Sequence, residues 1–141
     1  MAIRIQPSSE ALAVTYAKAH ASLGTLLGAS PNTRVATELP PNPVLPFLTI
    51  SLAAGIEKDP GHLDEAYLDL SAWALTKTDA DLLIRTARAV FMDANLVTHT
   101  RGVVSNPRTV LPPRWLPDES VNPPKPRYVT TIALTIHPPI L

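Results

Sequence analysis

An α+β fold, with a mostly antiparallel sheet packed by two helices, is the class that this sequence predicts, and three patterns predict it. Three stretches alternate side chains with the period of a strand, and two others repeat apolar residues at the three- and four-residue steps of a helix. The sixteen prolines gather mainly in two groups that separate these stretches. The resulting order is helix, two or three strands, helix, hairpin, strand.

The chain opens with Ile3 and Ile5, after which Pro7 and Ser8 precede a helical segment. Leu12, Tyr16, Ala19, Leu23, Leu26 and Leu27 share one face of it, Ser8 is placed to accept from the first free amides, and Gly28 to stop it. Glu10, Lys18 and His20 are among its few polar positions, so more than one stripe is expected to be buried. A short strand around Val35 comes next, and LPPNPVLP then carries the chain across an edge. From Phe47, residues Leu48, Ile50, Leu52 and Ala54 alternate with Thr49, Ser51 and Ala53, with Gly55 as the end. EKDPGH, residues 57 to 62, reads as the turn to the following strand, which makes the two antiparallel.

Residues 66 to 96 form the unit around which the rest is organised. Ala66, Leu68, Leu70, Ala72 and Ala74 alternate with Tyr67, Asp69, Ser71, Trp73 and Leu75, giving one wholly apolar face and one mixed face. After Leu75 the period changes: Ala80, Leu83, Ile84, Ala87, Val90, Phe91 and Ala94 fall on one helix face. Thr76 and Thr78 both offer a capping oxygen, Thr78 being the better placed, and Asp79 and Asp81 suit the positive end of the helix dipole. About 20 residues of helix span about 30 Å, enough to cover the apolar face of the preceding strand.

Beyond this helix, Val103 and Val104 are separated from Thr109, Val110 and Leu111 by SNPR, which predicts a hairpin. A long proline-rich loop from Leu111 to Lys125 follows, and loops of such length are usually functional or disordered. The last strand alternates Tyr128, Thr130, Ile132, Leu134 and Ile136 with Val129, Thr131, Ala133 and Thr135, until Pro138 and Pro139 end it.

At 141 residues the chain fits one domain, 1–141, with a core that needs neither disulfides nor a metal. It has no cysteine, so a disulfide framework and a thiolate zinc site are both excluded. No apolar run reaches spanning length and the start lacks a signal-peptide pattern, so the expectation is a soluble chain made in the cytoplasm with no membrane contact. Acids and bases balance overall but not locally. Residues 57–93 hold eight acidic against four basic residues, while 94–141 hold five basic against two acidic. Such runs are usually solvated faces, and the sharper alternative is head-to-tail contact between identical subunits.

Chemistry is thinly represented. His20, His62, His99 and His137 lack metal-ligand spacing, and no GxSxG, P-loop or GxGxxG occurs. Asp64 and Asp69 are an odd number of residues apart on one strand and so face opposite ways. Catalytic residues, metal ligands and cofactors are therefore expected to be none. Trp73 reads as a packing residue on the mixed face. Trp115, in RWLPDES beside Arg114, has the character of an interface anchor, although a loop tryptophan also folds back on its own domain.

Taken together, the helical start, TRVATELP leading through prolines to PFLTISLAAG, the strand ending in SAWA before TKTDAD, and the closing PRYVTTIALTIHP resemble the tail terminator proteins of long-tailed, siphophage-type bacteriophages. The resemblance covers nearly the whole chain and lies in the order and spacing of these motifs. It implies a structural virion protein, not an enzyme: a hexameric ring that caps the tail tube at its head-proximal end, stops addition of tube protein and joins a head-completion protein. DNA would pass through the ring without sequence-specific binding. Candidate interface positions, chosen by charge and location, are Arg101, Arg108, Arg114, Trp115 and Arg127. Alternatives are another head-to-tail ring component, such as a stopper or tail-tube relative, and, further off, a small cytosolic enzyme.

Overall fold

The computed structural model describes residues 7–30, 32–59, 63–94, 97–99, 102–120 and 123–138. In chain order its elements are α1 (Ser9–Ala19), α2 (Ala21–Leu27), β1 (Val35–Ala36), β2 (Phe47–Asp59), β3 (Leu63–Trp73), α3 (Lys77–Met92), β4 (Val97–His99), β5 (Gly102–Trp115) and β6 (Arg127–His137). The strands form one six-stranded sheet in the order β1-β2-β3-β6-β5-β4. Every neighbouring pair is antiparallel except β1 with β2. The α+β class is thus the observed one.

The helices share one side of this sheet, where the period-2 apolar residues meet the period-3.6 ones. Leu48 and Ile50 of β2, Leu68 and Leu70 of β3, and Ile132 and Leu134 of β6 pack with Leu12, Leu23, Leu27, Leu83, Ile84 and Phe91. Tyr16 ties α1 to α3: its hydroxyl donates to the Val90 carbonyl at 2.6 Å, and its ring lies 5.4 Å from that of Phe91. Burial, and then the charge of Asp93, raise the Tyr16 phenol above its ordinary pKa of 10.0.

The expected single N-terminal helix is two. His20 leaves the helix with φ −84° and ψ 125°, and its Nδ1 accepts from the Ser22 amide, capping α2. The buried hydroxyl of Thr33 donates to the carbonyls of Lys18 and Gly28, one beside each helix end, so the break leaves fewer orphan carbonyls. The sequence shows only a continuous apolar face there, because a capping histidine carries no periodic signal. Ser8 caps α1, accepting from Ala11, and Gly28 ends α2 with a positive φ of 103°. For α3 the cap is Thr76, not Thr78: Thr76 Oγ1 accepts from Asp79, which lies three residues on. The helix begins earlier than the acidic pair indicates, and it runs for 16 residues.

Two strands outrun their predicted limits. β2 continues through Gly55 as far as Asp59, pairing Ile56 with Glu65 and Glu57 with Asp64. Pro60, Gly61 and His62 of the predicted turn lie outside the described residues. The predicted hairpin through SNPR is instead the single strand β5, since Asn106 takes a φ of 51° and Pro107 sits in an irregularity between Ser105 and Arg108. A bulge thus absorbs the turn residues while β5 stays on β6. The hairpin of this region is β4 with the start of β5, Val97 opposite Val104. The front of the predicted loop, Leu111 to Trp115, is also strand, and Leu116 with Arg127 and Asp118 with Lys125 extend the β5–β6 ladder beyond it; Val121 and Asn122 lie outside the described residues.

Gly102 begins β5 where backbones crowd. A Cβ there would sit 2.8 Å from the His137 carbonyl oxygen and 2.9 Å from Pro7 Cγ. Gly102→Ala is expected to cost about 1–3 kcal/mol, read as a lower urea midpoint with unchanged m-value. Gly24→Ala is the control, since a methyl group at that position would meet nothing within 4 Å.

Candidate functional site

The sheet has a second face, on which none of the described helices packs. Because side chains alternate along β3, the residues between the core positions point to it: Glu65, Tyr67, Asp69, Ser71 and Trp73. Across the ladder they meet Thr135, Ala133, Thr131, Val129 and Arg127 of β6. Several are polar and nevertheless shielded, among them Glu65, Ser105, Thr131 and Thr135.

Hydrogen bonds explain how polar side chains are accommodated there. Glu65 Oε1 accepts from the Tyr67 hydroxyl at 2.6 Å and from Arg108 Nη2 at 2.7 Å, while Arg108 Nη2 also lies 3.1 Å from the Tyr67 oxygen. The hydrogen bond to Glu65 is the main cause that raises the pKa of Arg108 above its ordinary value. Thr131 donates to Asp69 at 2.6 Å, and Trp73 Nε1 to Thr49 at 3.4 Å. The Arg127 guanidinium lies 4.9 Å over the Trp73 ring and its Nε donates to the Leu116 carbonyl.

Ser105 Oγ and His137 Nε2, 2.9 Å apart, form the one arrangement among the described residues that looks like a nucleophile with its base. Nucleophilic catalysis also needs a group that orients the base and donors for the developing oxyanion. No carboxylate bonds His137 among the described residues, and this pair is explained as a cross-strand contact between β5 and β6. Nor do three or more metal-binding side chains gather among the described residues. A cleft of about 380 Å³ between Pro7–Glu10 and the far ends of β2 and β3 is bordered by four carboxylates, Glu10, Glu57, Asp64 and Glu65, beside Leu52 and Ile56, but no three of them come close enough together to hold a metal ion.

Arg108, Arg114 and Arg127 all project from the helix-free face, opposite Ala133, beside Val129 and beside Trp73. Trp115 does not join them. It faces the helix side, tilted against Tyr128 at 5.2 Å with the Lys77 ammonium 4.8 Å over its ring, and it keeps 39% of its surface exposed. Arg101 lies outside the described residues. Trp73 is buried on the helix-free face, in keeping with a packing residue. Reasoning from sequence missed Glu65, Tyr67 and Thr131. The alternation does put Tyr67 and Asp69 on the mixed face, but their partners come from β5 and β6, 40 or more residues away, and no local pattern reports them.

Beyond Trp115 the described residues make contacts of their own. Asp118 and Lys125 exchange backbone hydrogen bonds, and Asp118 accepts from the amide and hydroxyl of Ser120, which holds its carboxyl below the ordinary range.

What the geometry offers is a broad extended surface. β2 from Ser51 to Glu57 is exposed at every residue, and β5 is exposed over most of Asn106 to Trp115.

No protein-family model matches the sequence, and no curated protein does. Among solved structures, a chain of the virion of a native gene transfer agent (GTA) particle shares the fold with a TM-score of 0.63 at 17% identity, over 92% of this chain and 95% of that one. At that identity the likeness shows the fold.

Proposed function

We propose that this chain is a structural subunit of a phage-type virion that closes into a ring, caps the tail tube at its head-proximal end, ends tube polymerisation and offers the surface for head joining. The observation that carries this reading is the fold shared along nearly the whole chain with a component of a gene transfer agent virion. The surface supports it. Long exposed strands and a helix-free sheet face suit contacts between large flat partners. The acidic excess before residue 94 and the basic excess after it suit heterologous contacts that close into a ring.

On this reading the partners are further copies, six to a ring, the tail tube protein and a head-completion protein. DNA passes through the channel without base-specific contacts, and no catalytic step or cofactor is involved.

The test is the mass of the purified protein by light scattering across concentration and salt, with negative-stain images of the same sample. The expected result is a closed ring near six subunits that weakens as salt rises, because exposed charge pairs are screened. Long open tubes would overturn the capping role in favour of a tube protein. Should the protein remain monomeric, addition to purified tail tubes decides: tubes that keep elongating in its presence exclude a terminator.

A further inference from the structure

Among the described residues, no strand pairs with the two long edges of the sheet over stretches that lie at the same height. Among these residues, β1 covers β2 at Leu48 and Thr49, and β4 covers β5 from Gly102 to Val104. Following the registers across the sheet, Ser51 lies in one row with Asp69, Thr131 and Leu111, and Leu52 in one row with Leu68, Ile132 and Thr109. Ala54, Tyr67, Ala133 and Arg108 form the next row. Each row therefore ends at one bare edge on β2 and at the other on β5.

We infer that β2 of one copy pairs antiparallel with β5 of the next, so that the joint between subunits is a continuation of the sheet. This rests on the ring reading above and assigns it a contact. Four observations carry the occupant. The strands β2, β3, β6 and β5 alternate in direction, so a copy repeated edge to edge brings β2 alongside an antiparallel β5. Apolar side chains left in solvent stand on both edges: Leu52 and Ile56 are 48% and 51% exposed, and Val110 and Leu111 37% and 47%. Charge near the two edges differs in sign, with Glu57 and Asp64 at the far end of β2 and β3 and Arg114 on β5, Arg108 being already held by Glu65.

The backbone supplies the fourth. β5 has lost three donors to Pro107, Pro112 and Pro113 while keeping its carbonyls, whereas β2 has no proline from Phe47 to Asp59. Two β5 edges, each short of donors, are poor mates for one another; a β2 edge brings a full set of N–H groups to the β5 carbonyls, while opposite the prolines its own carbonyls stay with solvent. The asymmetry disfavours a two-fold dimer through β5, and crosslinking separates the heterologous joint from a two-fold dimer through β2.

The chain's lack of cysteine makes crosslinking a clean test. Ser51→Cys and Leu111→Cys stand at the two ends of one row, and residues opposite each other across a ladder have Cβ atoms about 4.5–5.5 Å apart. The double variant under mild oxidation, and under a bismaleimide to span a small stagger, is expected to give a ladder of covalent multimers. Mixed single variants should give only the Ser51–Leu111 pair. Leu52→Lys with Ile56→Lys, both at exposed positions, is expected to reduce the oligomer to monomer with circular dichroism and melting unchanged. A ring that forms without crosslinks and survives the lysines overturns the joint and leaves the ring reading standing. Crosslinking of Ser51→Cys to itself overturns it in favour of a two-fold dimer. A protein monomeric at every concentration overturns the joint in solution, and the tube-capping assay then judges the ring reading separately.

Discussion

Phe91→Ala is expected to destabilise the fold by about 3–5 kcal/mol, the range for removing a fully buried aromatic ring. Phe91 has no exposed surface, and it meets Tyr16 of α1 from the centre of the core-facing stripe of α3. Truncation opens a void between helices that are held apart by the sheet below them, so collapse around the cavity is limited. The Tyr16 hydroxyl bond to Val90, one residue away, loses its packed surroundings too. At this chain length the expected fall in melting temperature is roughly 10–20 °C. Leu82→Ala, on the exposed side of the same helix, should move it little. A loss below about 1 kcal/mol for Phe91→Ala would mean that α1 and α3 are not packed as described.

The second large effect is expected at Arg108. Its side chain is about half exposed, at 48%, but its carboxylate partner Glu65 keeps only 6% of its surface. Arg108→Ala removes the cation beside a shielded charge and leaves the Tyr67 hydroxyl on the same oxygen. Breaking a shielded pair is destabilising because the charge left behind is less well compensated, and solvent access on the arginine side moderates the loss. The expected result is a fall in melting temperature of roughly 5–10 °C. The double variant Arg108→Ala with Glu65→Leu should recover much of this, since the charge that needed compensation is gone. Urea unfolding of the two single variants and the double variant measures the coupling, and a coupling near zero would show that the pair is solvated in practice.

A dependence on pH distinguishes this from lost packing. Removing the Arg108 cation raises the folded pKa of the shielded Glu65 carboxyl. Whatever stability the ionised pair contributes is present above the unfolded pKa and is lost as pH falls through the folded one. The deficit of Arg108→Ala relative to the wild type should therefore shrink on acidification into the carboxyl range. A deficit that stays constant with pH would point to lost contacts of the arginine stem instead.

These two sites differ in how much of them the sequence discloses. Phe91 can be assigned to the core from its place in the series Ala80, Leu83, Ile84, Ala87, Val90, because helical periodicity is local and apolar faces must be covered. The same holds for the core residues of β3 and β6. Arg108 appears in the sequence only as a basic residue in a supposed turn. Its position on a strand, and Glu65 as its partner, follow from a bulge at Asn106 and Pro107 that residues with strong turn preference would not announce.

Local sequence by itself determined the two helical faces and the three long alternating strands, together with the α+β class and the absence of cysteine chemistry, since each depends on spacing or on composition alone. Tertiary structure decided the break at His20, the continuation of β2 and β5 past their turn-like residues, the polar cluster on the helix-free face and the two bare edges. All of these are settled by pairing between segments far apart in the chain. A strand's hydrogen bonds are made with other strands, so where a strand ends and which edge it leaves open is a property of its neighbours.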